Sequence, residues 1–480
     1  MLATRFLQKG VGLISTLILA RVLLPEDFGI VAFIAITTHL FYLLSETGSI
    51  QYIISKKEID DDDLNTIWTL NIGLRSAFWL VLIFATPYIT HYFKMAEAEN
   101  ALYVLSIIIL LKALRNPGFV LYEKALNYRP YFKLEVSAKV LSFIVVMIWI
   151  VISPSYWAMV AGDITATLVA FIGSYLMQPF RPRPSLSKFK EQWGFSQWMF
   201  LRGILGFAKA NLDQLFVSKL FSAEQLGGFY MAKDIVLLPA NELIIPATDP
   251  LLASFSKSNS DKHNFSYQIL FSLFVVSLIA LPSAVYIYLL SPYIIHVFLS
   301  DKWLHISPIF SNFAVLMFFT CFASILNNIC ISTHRIKAIF YLDILTVVII
   351  FSVLFAMKNS SIEAIALARG GIQCLITALF ITYIKTFTHF SFLRLSYLLL
   401  PVILSIGITI YSMSVLITWL AETTLLHLLS LSIAYLLIFL VCYLFLYVIH
   451  YRHIAEYQHL KKMLILALEP ITHRLTKTMP

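Results

Sequence analysis

Long apolar segments separated by short polar stretches run through the whole sequence. Because one membrane-spanning helix needs about 20 residues, the pattern predicts fourteen spans. Within each segment the apolar residues are continuous rather than alternating, which favours helices over the strands of a membrane barrel. The predicted spans cover residues 6–24, 28–48, 66–92, 99–118, 133–153, 156–178, 196–219, 226–252, 267–290, 305–331, 338–357, 361–384, 396–418 and 425–449.

Composition supports a membrane protein. The 480 residues are 59% hydrophobic and 13% charged, and the mean hydropathy is +0.83. A soluble core cannot bury so many apolar side chains, so lipid must solvate much of the surface. We expect the first apolar segment to be a retained span, because it lacks the small-residue cleavage site of a signal peptide. The four cysteines show no metal-ligand or redox spacing and are interpreted as small apolar packing residues.

Basic residues predict the orientation. With the fourteen spans above, 24 of the 35 Lys and Arg residues fall on the side of the termini and five fall on the other. Basic residues accumulate in cytoplasmic loops, so both termini are predicted to be cytoplasmic. The net charge of +9 is scattered over these loops and forms no stripe, which excludes nucleic acid as the expected partner.

An internal repeat indicates two related halves. Residues 20–29 (ARVLLPEDFG) align without gaps with residues 218–227 (SKLFSAEQLG), at an offset of 198. Both copies join the first span of a half to its second. The alternative is a pair of unrelated but similar helix-capping turns. The basic, proline-containing stretch from Arg181 is expected to be a linker.

These patterns together predict an all-α integral membrane protein. About 14 transmembrane helices form two pseudo-symmetric six-helix lobes plus two C-terminal helices. The predicted divisions are an N-terminal lobe at 1–190, a C-terminal lobe at 191–390, two further helices at 391–450 and a cytoplasmic tail at 451–480.

Charged residues inside predicted spans are the candidates for function, because each is costly in lipid unless it faces a partner or a wet cavity. A cavity lined by Arg and Lys would suit a diphosphate or an acidic sugar. The alternative is that these groups form ion pairs that fix helix register. The substrate-binding candidates are Arg75, Arg202, Lys209 and Lys233. The candidate coupling or gating carboxylates are Asp213, Asp234 and Glu46.

Catalytic and metal sites are not predicted. The run Asp60 to Asp63 precedes a predicted helix, where acidic residues favour the N-terminus and are expected to remain solvated. The histidines have no metal-binding spacing, and neither a nucleotide-phosphate loop nor a large external loop is present. We therefore expect no metal, no cofactor and no enzymatic activity.

Four stretches resemble a known family. They are ARVLLPEDFGIVAF from Ala20, ETGSIQYIISKKEID from Glu46 with LNTIWTLNIGLR from Leu64, NYRPYFKLEVSAKVLSF from Asn127, and the segment from Ala210 to Lys257 that contains NLDQ. They are similar to the polysaccharide transporters of the multidrug/oligosaccharidyl-lipid/polysaccharide flippase superfamily, which include the Wzx-type flippases of O-antigen and exopolysaccharide. The last 220 residues match only in hydropathy, and Ser222-Ala223 departs from the family's usual leucine-glycine pair.

The resemblance implies a function in lipopolysaccharide, capsule or exopolysaccharide biosynthesis. It implies alternating access and an undecaprenyl-diphosphate-linked oligosaccharide as cargo, with membrane lipids, a polysaccharide polymerase and a chain-length regulator as partners. The alternatives are a multidrug or metabolite antiporter of the same superfamily, whose cavity should be acidic and aromatic, and a non-transporting scaffold.

Overall fold

The architecture comes from a computed structural model. It describes residues 2–46, 48–258, 261–388, 390–419, 424–463 and 465. At 2–6, 49–50, 194–199, 202 and 419 it describes the backbone alone.

Helices account for the regular structure of the described residues. Long apolar segments form them because a helix satisfies its backbone hydrogen bonds internally. Two π-helical turns, Pro239–Ile244 and Tyr447–Tyr451, extend the ends of two of these helices. The α-helices are α1 Leu2–Val22, α2 Pro25–Leu44, α3 Ser49–Ser55, α4 Asp61–Phe93, α5 Glu99–Leu114, α6 Val120–Lys124, α7 Arg129–Ile152, α8 Trp157–Met177, α9 Phe189–Leu220, α10 Ala223–Leu238, α11 Ile245–Thr248, α12 Leu251–Ser258, α13 Lys262–Phe298, α14 Ser307–Ser332, α15 Ile336–Ala356, α16 Ile362–Lys385, α17 Phe392–Trp419 and α18 Leu425–Leu446.

Many of these helices are long and apolar enough to cross a bilayer. Eleven meet that test within the described residues, and the number rises to twelve if Ala96–Leu114 and Pro117–Lys124, bent by 65°, form one span. This bend falls in the predicted span 99–118, at a proline that cannot continue the helix. The all-helical class is confirmed, whereas the count of fourteen stays a prediction.

The chain divides into two compact units. The first contains Met1–Asp234, Phe298–Ile309 and Phe340–Ala368, and the second contains Ile235–Val297, Phe310–Ile339 and Arg369–Pro480. In the first unit α7 packs on α1 and α8, α5 packs on α4 and α8, and α2 packs on α9. Small residues allow such close packing of membrane helices: a side chain at Gly162 of α8 would lie 2.4 Å from Val146 of α7.

Hydrogen bonds between helices stabilise the second unit. The Tyr435 hydroxyl on α18 donates to the Pro282 carbonyl of α13 at 2.7 Å, and Tyr286 of α13 lies 2.7 Å from the Ser432 hydroxyl. After α18 the chain turns back, and Arg394 binds both oxygens of the buried Glu456 carboxylate at 2.7 and 3.0 Å. These polar groups of the apolar unit are therefore satisfied in pairs.

The acidic run from Asp60 caps α4, as the sequence predicted. The Asp60 carboxylate accepts from the Asp63 backbone N–H at 2.8 Å, and this hydrogen bond lowers the pKa of Asp60. The expectation that the whole run is solvated is wrong for Asp63. Its side chain is buried and accepts a hydrogen bond from Lys56 Nζ at 2.6 Å, which holds the pKa of Lys56 above its usual value. The chain between α3 and α4 folds back and places Lys56 beside Asp63, a contact that the sequence pattern does not predict.

The two copies of the repeat meet where α2 and α10 begin. A side-chain carbon at Gly29 would lie 1.8 Å from the Ala223 carbonyl oxygen, and one at Gly227 would lie 1.9 Å from the Pro25 carbonyl oxygen. Since real carbon–oxygen contacts are never so short, only glycine permits the two backbones to touch here. The repeated glycine is thus required by a close helix crossing.

Substitution of either glycine by alanine should lower stability. We expect Gly29→Ala and Gly227→Ala each to cost about 1–3 kcal/mol, because a backbone atom rather than a flexible side chain must move. Gly73→Ala in α4 is the control, since open space surrounds Gly73 and alanine favours a helix by up to about 1 kcal/mol. Thermal unfolding of the purified proteins in one detergent measures the difference; equal melting temperatures would contradict the packing argument.

Candidate functional site

A charged cavity lies within the first unit, among α2, α4, α5, α6 and α7. Its volume is about 400 Å³. We call it the basic cavity because Arg75, Lys112 and Arg115 line it, opposed by the carboxylates of Glu46 and Glu123. It is therefore a polar space formed by helices of mainly apolar sequence.

Arg75 of α4 is the most deeply buried cation of the basic cavity, at 5% exposure. Its Nη2 donates to Glu46 Oε2 at 3.3 Å and to the Tyr42 hydroxyl at 3.4 Å, and its guanidinium lies 4.7 Å from the centre of the Tyr42 ring. Its buried Nε has no acceptor among the described residues. A buried donor without an acceptor is costly, so this atom would be stabilised by a ligand oxygen.

Lys112 and Arg115 reach the cavity because α5 ends at Leu114, just before the proline break. The Lys112 ammonium lies 4.4 Å from the centre of the Tyr42 ring, so one tyrosine faces two cations. No carboxylate lies within 4 Å of Lys112 in the described part of the chain. Cation–π contacts offset only part of the charge, so Lys112 retains capacity for an anion.

A second cavity of about 190 Å³ adjoins the first and shares Lys112 and Arg115 with it. Arg115 donates to Glu135 Oε1 of α7 at 3.0 Å, and Gln8 of α1 donates to Glu135 Oε2 at 3.3 Å. Lys139 of α7 also lines this space, and Asp163 of α8 interacts electrostatically with Lys139 and Lys112. The two adjoining cavities are thus lined by four cations.

The structure brings together only some of the residues that the sequence singled out. Arg75 and Glu46 meet as an ion pair in the basic cavity. Lys209 pairs instead with Asp343 at 2.6 Å, and both side chains are about one-third exposed. Asp234 is an exposed position of α10, close enough to act electrostatically on Tyr230.

Asp213 and Lys233 form a buried ion pair outside the basic cavity. Lys233 Nζ donates to both carboxylate oxygens of Asp213 at 2.8 Å and to the Ala210 carbonyl at 2.7 Å. Asp213 is fully buried. The side chain of Arg202, the remaining substrate-binding candidate, lies outside the described residues.

Lys112 and Arg115 were not among the sequence candidates. A basic residue at the end of a predicted span is also what the cytoplasmic-loop rule expects, so their position gives no separate functional signal. Pro117 was the available signal for Lys112 and Arg115. A proline at this point predicts that the helix breaks just after these two residues, so that they need not lie in an ordinary cytoplasmic loop. Within the described residues, no group of three or more His, Cys, Asp or Glu side chains could hold a metal ion.

The arrangement is suited to bind a phosphorylated anion. Arginine can donate two parallel hydrogen bonds to phosphate oxygens, and lysine adds a mobile positive charge. Two arginines and one lysine around about 400 Å³ can accommodate a diphosphate together with the first part of an attached group.

The sequence is similar to proteins of polysaccharide biosynthesis. A family described as "Polysaccharide biosynthesis protein" matches residues 18–308. The sequence is 22% identical over 343 residues to the lipopolysaccharide biosynthesis protein WzxC of Escherichia coli K12, covering 70% of this chain and 69% of WzxC. It is also 22% identical over 302 residues to an uncharacterized membrane protein in the cps region of Klebsiella pneumoniae, covering 62% of each protein. The second match thus spans about three-fifths of its curated relative.

Among solved structures, lipid II flippase MurJ in an inward closed conformation is similar at 15% identity and a TM-score of 0.73. The similarity covers 93% of this chain and 98% of the MurJ chain. At so low an identity the similarity establishes a shared fold and leaves the cargo to be argued from the site itself.

Proposed function

This chain belongs to the family of polysaccharide biosynthesis proteins, and on that premise we propose that it flips a lipid-linked oligosaccharide across the membrane. The cargo would be an undecaprenyl-diphosphate-linked repeat unit, moved from the cytoplasmic to the outer leaflet by alternating access. The process served would be O-antigen, capsule or exopolysaccharide biosynthesis. This is transport, with no bond made or broken in the cargo.

The basic cavity carries the proposal. Every such cargo has a diphosphate between its lipid and its sugar, whichever sugars are attached. Arg75 offers an unpartnered buried Nε, and Lys112 has no carboxylate within 4 Å among the described residues. We assign diphosphate binding to Arg75, Lys112 and Arg115. Lys209 and Lys233 do not line the basic cavity and pair elsewhere, with Asp343 and Asp213, so their role in binding stays a prediction.

The proposed topology has fourteen membrane spans and cytoplasmic termini. To the eleven or twelve apolar helices we add α1 and α9, because their 21 and 32 residues are also long enough to cross a bilayer. Fourteen spans in two lobes therefore remain our proposal. The excess of basic residues supports cytoplasmic termini in a bacterial inner membrane. A polymerase and a chain-length regulator would act on the cargo after it crosses.

Deletion of the gene tests the function. We expect undecaprenyl-diphosphate oligosaccharide to accumulate in the inner leaflet and the surface polysaccharide to disappear. Extraction and mass spectrometry of the lipid-linked intermediates, with a plasmid copy of the gene as control, measures both. Normal polysaccharide and lipid pools together with increased sensitivity to cationic drugs would refute the flippase and favour the antiporter.

A further inference from the structure

Each arginine of the two cavities is already held by a carboxylate. Arg75 contacts Glu46 at 3.3 Å, and Arg115 contacts Glu135 at 3.0 Å. A diphosphate that binds to these arginines must therefore compete with carboxylates of the protein itself.

The two ion pairs are built so that they can open. The Glu46 and Glu135 side chains are 32% and 20% exposed, so either carboxylate has room to turn away from its arginine. The contact from Arg75 to Glu46 is long for a charge-assisted hydrogen bond, and the Nε of Arg75 stays unused. By contrast, Asp213 is fully buried against Lys233, and separating that pair would leave a carboxylate buried away from its cation, which is costly.

We propose that Glu46 and Glu135 serve as internal anions that hold Arg75 and Arg115 in the empty transporter and yield them to the phosphates of the cargo. The inference rests on the proposed function. Because the carboxylates replace the charge of the departed diphosphate, the empty site stays close to neutral. A site with uncompensated arginines would resist closing away from water, since an unpaired charge is costly in a low dielectric.

Other charged groups surround these pairs and set their background potential. They are His39 on α2, Lys112 on α5, Glu123 on α6, Lys139 on α7 and Asp163 on α8. Among them, Glu123 lines the same cavity as Glu46 but makes no ion pair with a described residue. Glu123→Gln therefore removes the same charge without freeing an arginine.

Binding and turnover should move in opposite directions when the internal anions are removed. For Glu46→Gln and for Glu135→Gln we expect farnesyl diphosphate to bind about tenfold more tightly, because the arginine no longer has to leave a carboxylate. Flipping of a fluorescent short-chain prenyl-diphosphate saccharide in proteoliposomes should fall by about the same factor, because release and the return of the empty protein become harder. Calorimetric titration of the detergent-purified protein measures the affinity.

The controls separate this exchange from a structural role and from general electrostatics. Glu123→Gln should raise affinity by clearly less than the gain of about tenfold in the other two glutamine variants, because it removes a charge of the cavity without freeing an arginine. Glu135→Asp, which keeps the charge, should retain the wild-type affinity. Unchanged or weaker binding by both glutamine variants, or an equal gain in Glu123→Gln, would overturn the inference and leave the flippase intact. Failure of the wild-type protein to bind farnesyl diphosphate would overturn both.

Discussion

Replacement of Asp213 by asparagine should destabilise the protein by about 3–5 kcal/mol, because it removes the negative charge that faces the buried Lys233 ammonium. The carboxylate is fully buried and receives two hydrogen bonds of 2.8 Å from that lysine. Thermal unfolding in detergent and the yield of inserted protein both report the loss. The double variant Asp213→Asn/Lys233→Met should recover most of it, since neither charge then remains.

Asp343→Asn is the matched control for this experiment. It is the same chemical change at another Lys–Asp pair, but Asp343 and Lys209 are about one-third exposed, so this pair is less completely buried. The expected cost is about 1 kcal/mol or less. If Asp213→Asn instead unfolded like the wild type while flipping failed, Asp213 would have the gating role that the sequence suggested.

Loss of the cations of the basic cavity should abolish flipping without unfolding the protein. For the double variant Arg75→Gln/Lys112→Gln we expect a decrease in flipping on the order of a hundredfold or more, since each charge-assisted contact to a phosphate contributes about 1.5–3 kcal/mol. The rate of appearance of cargo in the outer leaflet of proteoliposomes measures the effect, and surface polysaccharide in a deletion strain provides the cellular readout.

Lys57→Gln tests whether general charge explains such a loss. Lys57 is an exposed cation just before α4 and does not line the basic cavity. This variant should flip at the wild-type rate. Normal flipping by Arg75→Gln/Lys112→Gln at wild-type abundance would exclude the basic cavity as the diphosphate site.

Sequence reasoning found the parts of the site whose signal is local. Arg75 and Glu46 stood out because a charge within an apolar segment is costly and needs a cause. Lys112 and Arg115 did not, because a basic residue at the end of a span is also what the cytoplasmic loop rule predicts. Hydropathy alone cannot separate these two reasons for a positive charge.

Partner choice was beyond the sequence. Lys209 stays a binding prediction, but its ion-pair partner, Asp343, is 134 residues away and could not be identified from the sequence. Asp63 was expected in water, yet the fold buries it against Lys56. The helical class followed from composition, because lipid permits few alternatives, whereas each ion pair depends on which helices pack together.

The glycine crossing of α2 and α10 has the form of a symmetric dimer interface. Gly29 touches residue 223, the counterpart of residue 25 at the offset of 198, and Gly227, the counterpart of Gly29, touches residue 25. Such reciprocity, in which i meets j and j meets i, defines an isologous contact about a two-fold axis. The two halves of this chain therefore meet at this crossing in the same way as two identical subunits meet across a two-fold axis, with one pair of glycines at the centre of the contact.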